Sequence, residues 1–216
     1  MCPRAKTDEL ASISPPEFEW SQAGTSESHL YLTGPTVELL NRFGAKNVLD
    51  LGCGNGAFTG VLAAKGFAMA GCDASASGLA IAQASFPGIN FYQHDLAFPL
   101  PESVQGQYDA VVSLEVVEHL LLPRLLITNA IQALRPGGLL ILSAPYHGYW
   151  KNLALALTNR FDEHWHPLRD FGHVKFFSKR TLIQLVTESG LEVQAFYPLG
   201  RTRLMPCSMI VAALKK

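Results

Sequence analysis

The stretch VLDLGCGNG, residues 48–56, is the part of the sequence that decides the fold. Its apolar start belongs to a predicted strand over residues 46–51, and a helical pattern follows over residues 58–66. The alternating glycines between them permit a sharp turn and let a ligand approach the backbone without meeting a Cβ. Amides at the start of the helix can then bind an anionic group. By letters alone the stretch also satisfies the loose G-x-G-x-x-A dinucleotide pattern, so the loop does not by itself specify the ligand.

Strand and helix patterns alternate regularly outward from this stretch. Such alternation predicts a doubly wound, Rossmann-like α/β fold, with a mostly parallel sheet and helices on both faces. The near-continuous apolar run YDAVVSL, residues 108–114, is typical of a strand covered on both sides. The other predicted strands are residues 67–72, 89–94, 139–144, 192–197 and 205–214, and the other predicted helices are residues 36–43, 124–134, 77–85 and 180–188.

Two segments depart from this alternation. Residues 1–26 carry Ser, Pro and Thr without periodicity, which predicts a flexible N-terminal arm before one domain over residues 27–216. Residues 145–177 are rich in aromatic residues and histidine, and we interpret them as a cap inserted into the domain. Their apolar patch, residues 153–157, is expected to be buried under the cap rather than to anchor the protein at a membrane surface. The two strands after the last helix suit a sheet whose final strand is antiparallel.

The composition excludes several classes of protein. Of the 216 residues, 48% are apolar and 16% charged, with a formal net charge of −1. These values argue against a disordered chain or a coiled coil, and the lack of a basic surplus argues against a general nucleic-acid binder. The sequence has no signal-like apolar start, no apolar run of eighteen residues and no Cys-x-x-Cys pair. We therefore expect a reduced, cytoplasmic protein, with peripheral membrane contact left open.

Acidic residues stand at the ends of the next two predicted strands. Asp73 ends the second strand and lies 21 positions after Gly52, where a carboxylate can accept hydrogen bonds from both ribose hydroxyls. Asp95 ends the third strand, where a carboxylate can accept an amino proton of adenine. Either residue alone could be a solvated loop residue or a helix cap. Three signals at three successive strand ends instead predict a nucleoside site.

The segments VLDLGCGNG, GCD, HDL, YDAVVSLEVVEHL and LRPGGLLILSAP together resemble the class I S-adenosylmethionine-dependent methyltransferases. The resemblance runs over residues 46–145. It implies a seven-stranded sheet with an antiparallel last strand and S-adenosylmethionine as cofactor. The residues it places at the cofactor are Asp50, Gly52, Cys53, Gly54, Asn55, Asp73, Asp95, Leu96 and Leu114.

A second motif, EVVEH at residues 115–119, carries two carboxylates and an imidazole. If this turn is helical, Glu115, Glu118 and His119 share one face and offer three ligands to a divalent ion. The alternative is that the carboxylates only favour the positive end of a helix dipole. A fourth ligand is available in His173, within the downstream segment FGHVKFFS.

The EVVEH and HVKFFS segments are similar to two metal-using groups of methyltransferases. These are the 3-O-methyltransferases of ubiquinone biosynthesis and the small-RNA 3′-terminal 2′-O-methyltransferases. The resemblance implies that Glu115, Glu118, His119 and His173 hold a divalent ion, with Zn²⁺, Mn²⁺, Fe²⁺ and Mg²⁺ all open. Glu118 and His119 would then act in catalysis together with His147.

The cap and the charge distribution favour an aromatic small molecule as methyl acceptor. Aromatic residues of the cap could cover a flat phenol or quinol, with His147 or His166 as general base. Such a hydroxyl is mostly protonated at neutral pH, and a divalent ion would lower its pKa. RNA stays open as an alternative acceptor because basic residues gather late in the chain. A metal-independent methyltransferase and a catalytically silent protein also stay open as alternatives. That basic group is Arg169, Lys175, Lys179, Arg180, Arg201 and Arg203.

Overall fold

The structure is a computed structural model that describes residues 20, 24, 29–165, 167–170, 172–200 and 206–216. Seven strands form one sheet in the order β3-β2-β1-β4-β5-β7-β6. The strands are β1 (Asn47–Leu51), β2 (Ala68–Asp73), β3 (Asn90–Gln93), β4 (Tyr108–Ser113), β5 (Leu134–Pro145), β6 (Glu192–Leu199) and β7 (Ser208–Leu214).

The sheet topology confirms the predicted fold class. Strand β1 pairs in parallel with β2 and β4, and the parallel ladder continues to β3 on one side and β5 on the other. Strand β7 is antiparallel to both β5 and β6. The chain order therefore reverses between β1 and β4, which is where ligands bind in open α/β sheets.

Helices cover both faces of the sheet, and two further helices lie in the cap. They are α1 (His29–Arg42), α2 (Ala57–Ala64), α3 (Ala76–Ser85), α4 (Pro123–Ala133), α5 (Tyr149–Leu157), α6 (Phe161–Trp165) and α7 (Lys179–Thr187). Single 3₁₀ turns span Glu102–Val104 and Val117–His119.

Helix α1 begins seven residues before its predicted start, and Pro35 lies inside it. A proline in a helix interior removes one backbone hydrogen bond, which is why the sequence suggested a start at that point. Leu32, Thr36 and Leu39 are nevertheless all buried on one stripe. Their burial holds the helix together across the proline.

The apolar content of the chain lies mainly in two core layers, one on each face of the sheet. On β1, Leu49 and Leu51 belong to one layer, and Val48 belongs to the other. Strand β4 divides in the same way, with Val111 in the first layer and Val112 in the second. This double coverage confirms the reading of residues 108–114 as a strand buried on both sides.

Strand β5 is longer than predicted, because it includes residues 135–138, which the sequence suggested to be a turn before the strand. Gly137 has a φ of +74° and still pairs with the end of β7, where its amide donates to the Lys215 carbonyl. The Lys215 amide donates in return to Gly138. The residues predicted to form a turn are therefore part of β5, and their backbone groups pair at the end of the antiparallel ladder.

The cap leaves the sheet after β5 and returns at α7, as predicted. Helix α5, which carries the apolar patch of residues 153–157, contains no buried residue, and Leu157 is 79% exposed. The expectation that this patch is buried is therefore wrong, because the helix lies at the surface with only part of one side covered. Within the described ranges, no helix has both the length and the apolarity needed to cross a membrane.

At the opposite edge from the cap, Asp109 ties the starts of β1 and β4 together. Its carboxylate accepts hydrogen bonds from the Lys46 and Asn47 amides at 2.8 and 3.0 Å, and it pairs with Arg135 at 3.0 Å. Burial raises the pKa of Asp109, but these hydrogen bonds and the Arg135 charge outweigh burial and lower the pKa below its usual value. Folding is therefore linked to ionisation of this carboxyl.

We predict that Asp109→Ala lowers the free energy of unfolding at pH 7 by about 1–2 kcal/mol, because two amides lose a charged acceptor. A depressed pKa stabilises the fold above the unfolded value of about 3.9, and this contribution disappears as the pH falls through the folded pKa. The difference from wild type should therefore shrink towards pH 3 in urea unfolding. The exposed Glu38→Ala is the control, and an equal deficit at both pH values would contradict the linkage.

Candidate active site

The candidate site lies at the carboxyl edge of the sheet, around the reversal between β1 and β4. There the glycine loop after β1 faces the segment that follows β4. Gly52 has a φ of +84°, and a Cβ on it would lie 2.6 Å from Cγ2 of Val116. The amides of Gly52 and Cys53 both donate to the Cys72 carbonyl, so the end of β2 supports the loop. Only glycine fits a left-handed backbone at such a close approach.

Asp73, at the end of β2, holds the glycine loop from the side. Its Oδ2 accepts a hydrogen bond from the Gly54 amide at 2.8 Å, and its Oδ1 accepts one from Ser75 at 2.8 Å. These two bonds fix the carboxylate against the loop and against the start of the segment that follows β2. The structure thus places the predicted ribose-binding carboxylate directly beside the predicted loop.

Two residues of the N-terminal arm lie on the same loop, which sequence reasoning missed. The Trp20 amide donates to Ser77 Oγ at 3.2 Å, and a Cβ on Gly54 would lie 2.4 Å from Cζ2 of the indole. Nδ2 of Asn55 donates to the carbonyl of Gly24 at 3.1 Å. The rest of residues 1–26, predicted to be flexible, lies outside the described residues. A lone tryptophan in a polar arm was the one signal for this contact.

Other residues predicted at the cofactor have structural partners of their own. Buried Asp50 accepts a hydrogen bond from Thr59 at 2.6 Å, and burial raises its pKa to about 7, partly offset by Thr59. Burial likewise raises the pKa of the Cys53 thiol. Direct contact of either residue with the cofactor stays a prediction.

The three predicted residues farther along the chain lie after β3 and β4. Asp95 is exposed and accepts from the Ala97 amide at 2.8 Å. Leu96 is buried in the core, and its carbonyl accepts from Asn129. Leu114 is partly buried against the core layer on the other face. Their contact with the cofactor also stays a prediction.

Glu118, His119 and His173 form a cluster beyond the end of β4. Their ligand atoms all lie within 4.8 Å of one another. Glu118 is 1% exposed, and within the described part of the chain neither of its carboxylate oxygens has a hydrogen-bond partner. Nε2 of His119 and Nε2 of His173 lie 3.9 and 4.0 Å from Glu118 Oε1, which is too long for hydrogen bonds. A buried carboxylate without donors beside two imidazoles fits a bound cation.

Main-chain hydrogen bonds bring the cluster together across 55 residues of sequence. The Glu118 carbonyl accepts from the amides of Val174 and Lys175, both at 2.9 Å, and these bonds hold His173 beside the 3₁₀ turn. Nδ1 of His119 lies 3.2 Å from the carbonyl of Gly172. A carbonyl can only accept, so Nδ1 carries the hydrogen in this contact and Nε2 is the unprotonated ring nitrogen.

Burial disfavours the charged forms of Glu118 and His173. It raises the pKa of Glu118 well above its usual value, and the nearby Glu115 adds to this rise. It also lowers the pKa of His173 to about 4, with His119 and Arg169 acting in the same direction. A bound cation would instead favour the ionised carboxylate and lower the pKa of Glu118.

Glu115 does not share a helical face with Glu118 and His119, which corrects the predicted geometry. It precedes the 3₁₀ turn and has a φ of +58°, in the left-handed region. Its Oε1 accepts hydrogen bonds from the hydroxyls of Ser143 at 2.8 Å and Ser208 at 2.6 Å. The two serines, from β5 and β7, turn this carboxylate toward the antiparallel strand pair. Its role as a metal ligand stays a prediction.

His147 lies just after β5, among the aromatic residues of the cap. Its ring meets Phe176 edge-on, with centroids 5.1 Å apart, and lies 5.6 Å from the ring of His164. Burial lowers its pKa to about 4, with Lys151 and His164 contributing. The ring is therefore neutral at pH 7 and able to accept a proton. His166, the alternative base, lies outside the described residues.

Comparison with known proteins agrees with this arrangement. A family model described as "Methyltransferase domain" matches residues 29–195, which include the glycine loop, Asp73 and the whole cluster. The chain belongs to the methyltransferase family. The resemblance to S-adenosylmethionine-dependent methyltransferases is thereby confirmed.

Two curated proteins with similar sequences carry the same name. The "Ubiquinone biosynthesis O-methyltransferase" of Dinoroseobacter shibae is 31% identical over 163 residues, which cover 74% of this chain and 65% of that protein. The protein of the same name from Burkholderia pseudomallei is 24% identical over 207 residues, covering 92% and 82%. The chain thus spans about two thirds of the first of these relatives.

Solved structures of other proteins share the fold. An S-adenosylmethionine-dependent methyltransferase from Mesorhizobium loti matches with a TM-score of 0.62 and 21% identity, covering 82% of this chain and 96% of that one. The PH0226 protein from Pyrococcus horikoshii matches with a TM-score of 0.69 and 16% identity, covering 98% and 100%. At these identities the comparisons concern architecture alone.

We predict that Gly54→Ala weakens S-adenosylmethionine binding at least tenfold, as measured by isothermal titration calorimetry. The added methyl would displace Trp20, and a φ of +53° disfavours a side chain. Gly44→Ala is the matched control, since Gly44 also has a positive φ of +66° but no atom within 4 Å of an added Cβ. Unchanged affinity in Gly54→Ala would show that the loop and Trp20 do not shape the cofactor site.

Proposed function

We propose that the chain is an S-adenosylmethionine-dependent O-methyltransferase whose acceptor is a phenolic or quinol-type small molecule. The observation that carries this proposal is the buried carboxylate of Glu118, without hydrogen-bond donors and flanked by His119 and His173 at the cofactor edge. The names of the ubiquinone-biosynthesis relatives support the acceptor class. The proposed use of a metal rests on the Glu118 cluster, and the proposed acceptor class rests on the names of these relatives.

The residues at the β1–β2 edge fit a cofactor that carries a nucleoside and a sulfonium. Asp73 places a carboxylate beside the glycine loop, where ribose hydroxyls would bind, and the loop permits close approach of a ligand to the backbone. The acidic carboxyl edge also suits a positively charged ligand. When bound, S-adenosylmethionine supplies an electrophilic methyl group for in-line transfer, so the protein's main task is to position the acceptor.

Glu118, His119 and His173 would hold a divalent ion, with Glu115 beside them as a candidate further ligand. Such an ion supplies a lowered pKa for a phenolic hydroxyl and fixes its position. Two imidazoles with one carboxylate suit Zn²⁺, Mn²⁺ or Fe²⁺ better than Mg²⁺, which prefers an all-oxygen shell. In the proposed site Glu118 and His119 therefore act by binding the ion rather than by moving protons.

The cap would exclude water and receive the acceptor's proton. Phe176 lies between His147 and Trp165, with a centroid distance of 4.9 Å to the indole ring. These rings form an aromatic wall that suits a flat acceptor. Neutral His147, on the same wall, is our candidate for the general base that accepts the hydroxyl proton.

The surface charge favours a small acceptor over RNA. Lys179 lies over the ring of Phe196 at 4.8 Å. Of the predicted basic group, Arg169 and Lys175 lie in the cap and Arg180 lies in α7. Arg201 and Arg203 of the predicted basic group lie outside the described residues. Exposed Tyr149, Trp150 and Leu157 on α5 would suit contact of this cap with a membrane surface, as part of the same proposal.

Our third prediction concerns the metal cluster. Glu118→Gln should lose Mn²⁺ binding, because the amide keeps the shape of the side chain but removes its charge. Electron paramagnetic resonance of free Mn²⁺ measures the binding, and calorimetry should show S-adenosylmethionine binding unchanged. The matched control is the exposed Glu102→Gln. Mn²⁺ binding equal to wild type in Glu118→Gln, or full turnover in EDTA, would refute the metal site.

Our fourth prediction concerns the acceptor. Methyl-labelled S-adenosylmethionine should transfer label to a catechol such as 3,4-dihydroxybenzoate and not to a short RNA with a free 3′ end. The control acceptor is the corresponding dimethoxy compound, which has no hydroxyl to methylate. Label on RNA alone would assign the chain to the RNA-methylating class, and label on neither acceptor would contradict the proposed function.

A further inference from the structure

Lys151 is a cap residue that no sequence motif singled out, and it is hydrogen-bonded to Tyr146, the residue that precedes His147. It is the third residue of α5 and is half-buried, although the helix around it contains no buried residue. Its Nζ donates a hydrogen bond to the Tyr146 carbonyl at 3.3 Å. This bond turns the ammonium inward, to the end of β5, instead of leaving it in solvent. A long cation usually keeps its charged end in water, so this orientation needs an explanation.

The hydrogen bond to Tyr146 places this ammonium at the end of β5, one residue before the candidate base His147. The Tyr146 amide donates to the Cys207 carbonyl, next to Ser208, whose hydroxyl donates to Glu115. Burial lowers the pKa of the ammonium, while Cys207 and Glu115 oppose that change. The ammonium is therefore anchored next to the candidate base in the chain, at the strand pair of β5 and β7 that holds Glu115.

The ammonium also retains hydrogen-bonding capacity. An ammonium has three N–H donors, and the described residues give it one acceptor, the carbonyl of Tyr146. Glu115 accepts hydrogen bonds from the hydroxyls of Ser143 and Ser208, and its charge favours the protonated form of Lys151. Two donors of a half-buried cation thus remain for a ligand that brings negative charge.

We propose that Lys151 binds the reacting oxygen of the acceptor and stabilises it as an anion, which makes Lys151 a catalytic residue of the proposed reaction. This inference rests on the proposed function and names the group that recognises its substrate. The acceptor hydroxyl releases its proton to His147 or solvent, and its oxygen forms the new bond to the methyl carbon. The carbon–sulfur bond of the sulfonium breaks, and its electron pair stays on sulfur.

The experiment uses 4-nitrocatechol, whose phenolate absorbs visible light, with the full chain and S-adenosylhomocysteine bound. Wild type should lower the pKa of the bound nitrocatechol relative to the free compound. Lys151→Met should reverse that shift by about one unit or more, because the anion loses a charge-assisted hydrogen bond. Lys151→Arg should retain most of the shift. The control is Lys65→Met, which removes an exposed lysine of the loop after α2.

Turnover gives a second readout. Lys151→Met should lower kcat at pH 7 by roughly 10- to 100-fold and regain activity as the pH rises, since the acceptor then ionises unaided. Binding of S-adenosylhomocysteine, measured by calorimetry, should equal that of wild type. If Lys151→Met does not fold, Lys151→Gln replaces it in both measurements. Glutamine keeps a hydrogen-bond donor but has no charge, so this variant should also raise the pKa of bound nitrocatechol relative to wild type.

The outcomes separate this assignment from the proposed function. If wild type methylates catechols while Lys151→Met keeps both the bound pKa and the pH profile, the assignment to Lys151 is wrong and the function stands. If wild type neither binds nitrocatechol nor methylates any catechol, the proposed function fails and this inference with it.

Discussion

The carbonyl oxygen of Glu118 is the acceptor on which the candidate site depends. It receives the amides of Val174 and Lys175, and those two bonds return the cap to the 3₁₀ turn after β4. Without them, His173 would have no fixed relation to Glu118 and His119. The same residue thus contributes its backbone to closing the cap and its side chain to the cluster. Because both depend on one short turn, the cap and the cluster are expected to form or unfold together.

The architecture was accessible from the sequence because its signals are local and repeated. The alternation of strand and helix patterns, the glycine loop and Asp73 all depend on residues close together in the chain, and the structure places them as predicted. The partners of Glu115 were not accessible in this way. Ser143 and Ser208 come from strands 28 and 93 residues away, and neither has a sequence pattern that announces the contact.

The errors have a common physical cause, which is that tertiary contacts override local preference. Helix α1 continues across Pro35 because its buried stripe outweighs one lost hydrogen bond. The patch at residues 153–157 has the composition of a core but stays at the surface, since both faces of the sheet are already covered. Lys151 lies in the same helix, and only its three-dimensional neighbours distinguish it from an ordinary solvated lysine.

The contact of Trp20 with the glycine loop has a practical consequence for handling the protein. Helix α1 starts at His29, so a chain trimmed to its regular secondary structure would keep the whole sheet and both core layers. It would lack the indole that covers Gly54 and the carbonyl of Gly24 that binds Asn55. Such a shortened protein would look intact by circular dichroism while one wall of its proposed cofactor site was missing. We therefore expect the boundary of the active protein to lie upstream of the boundary of its regular secondary structure.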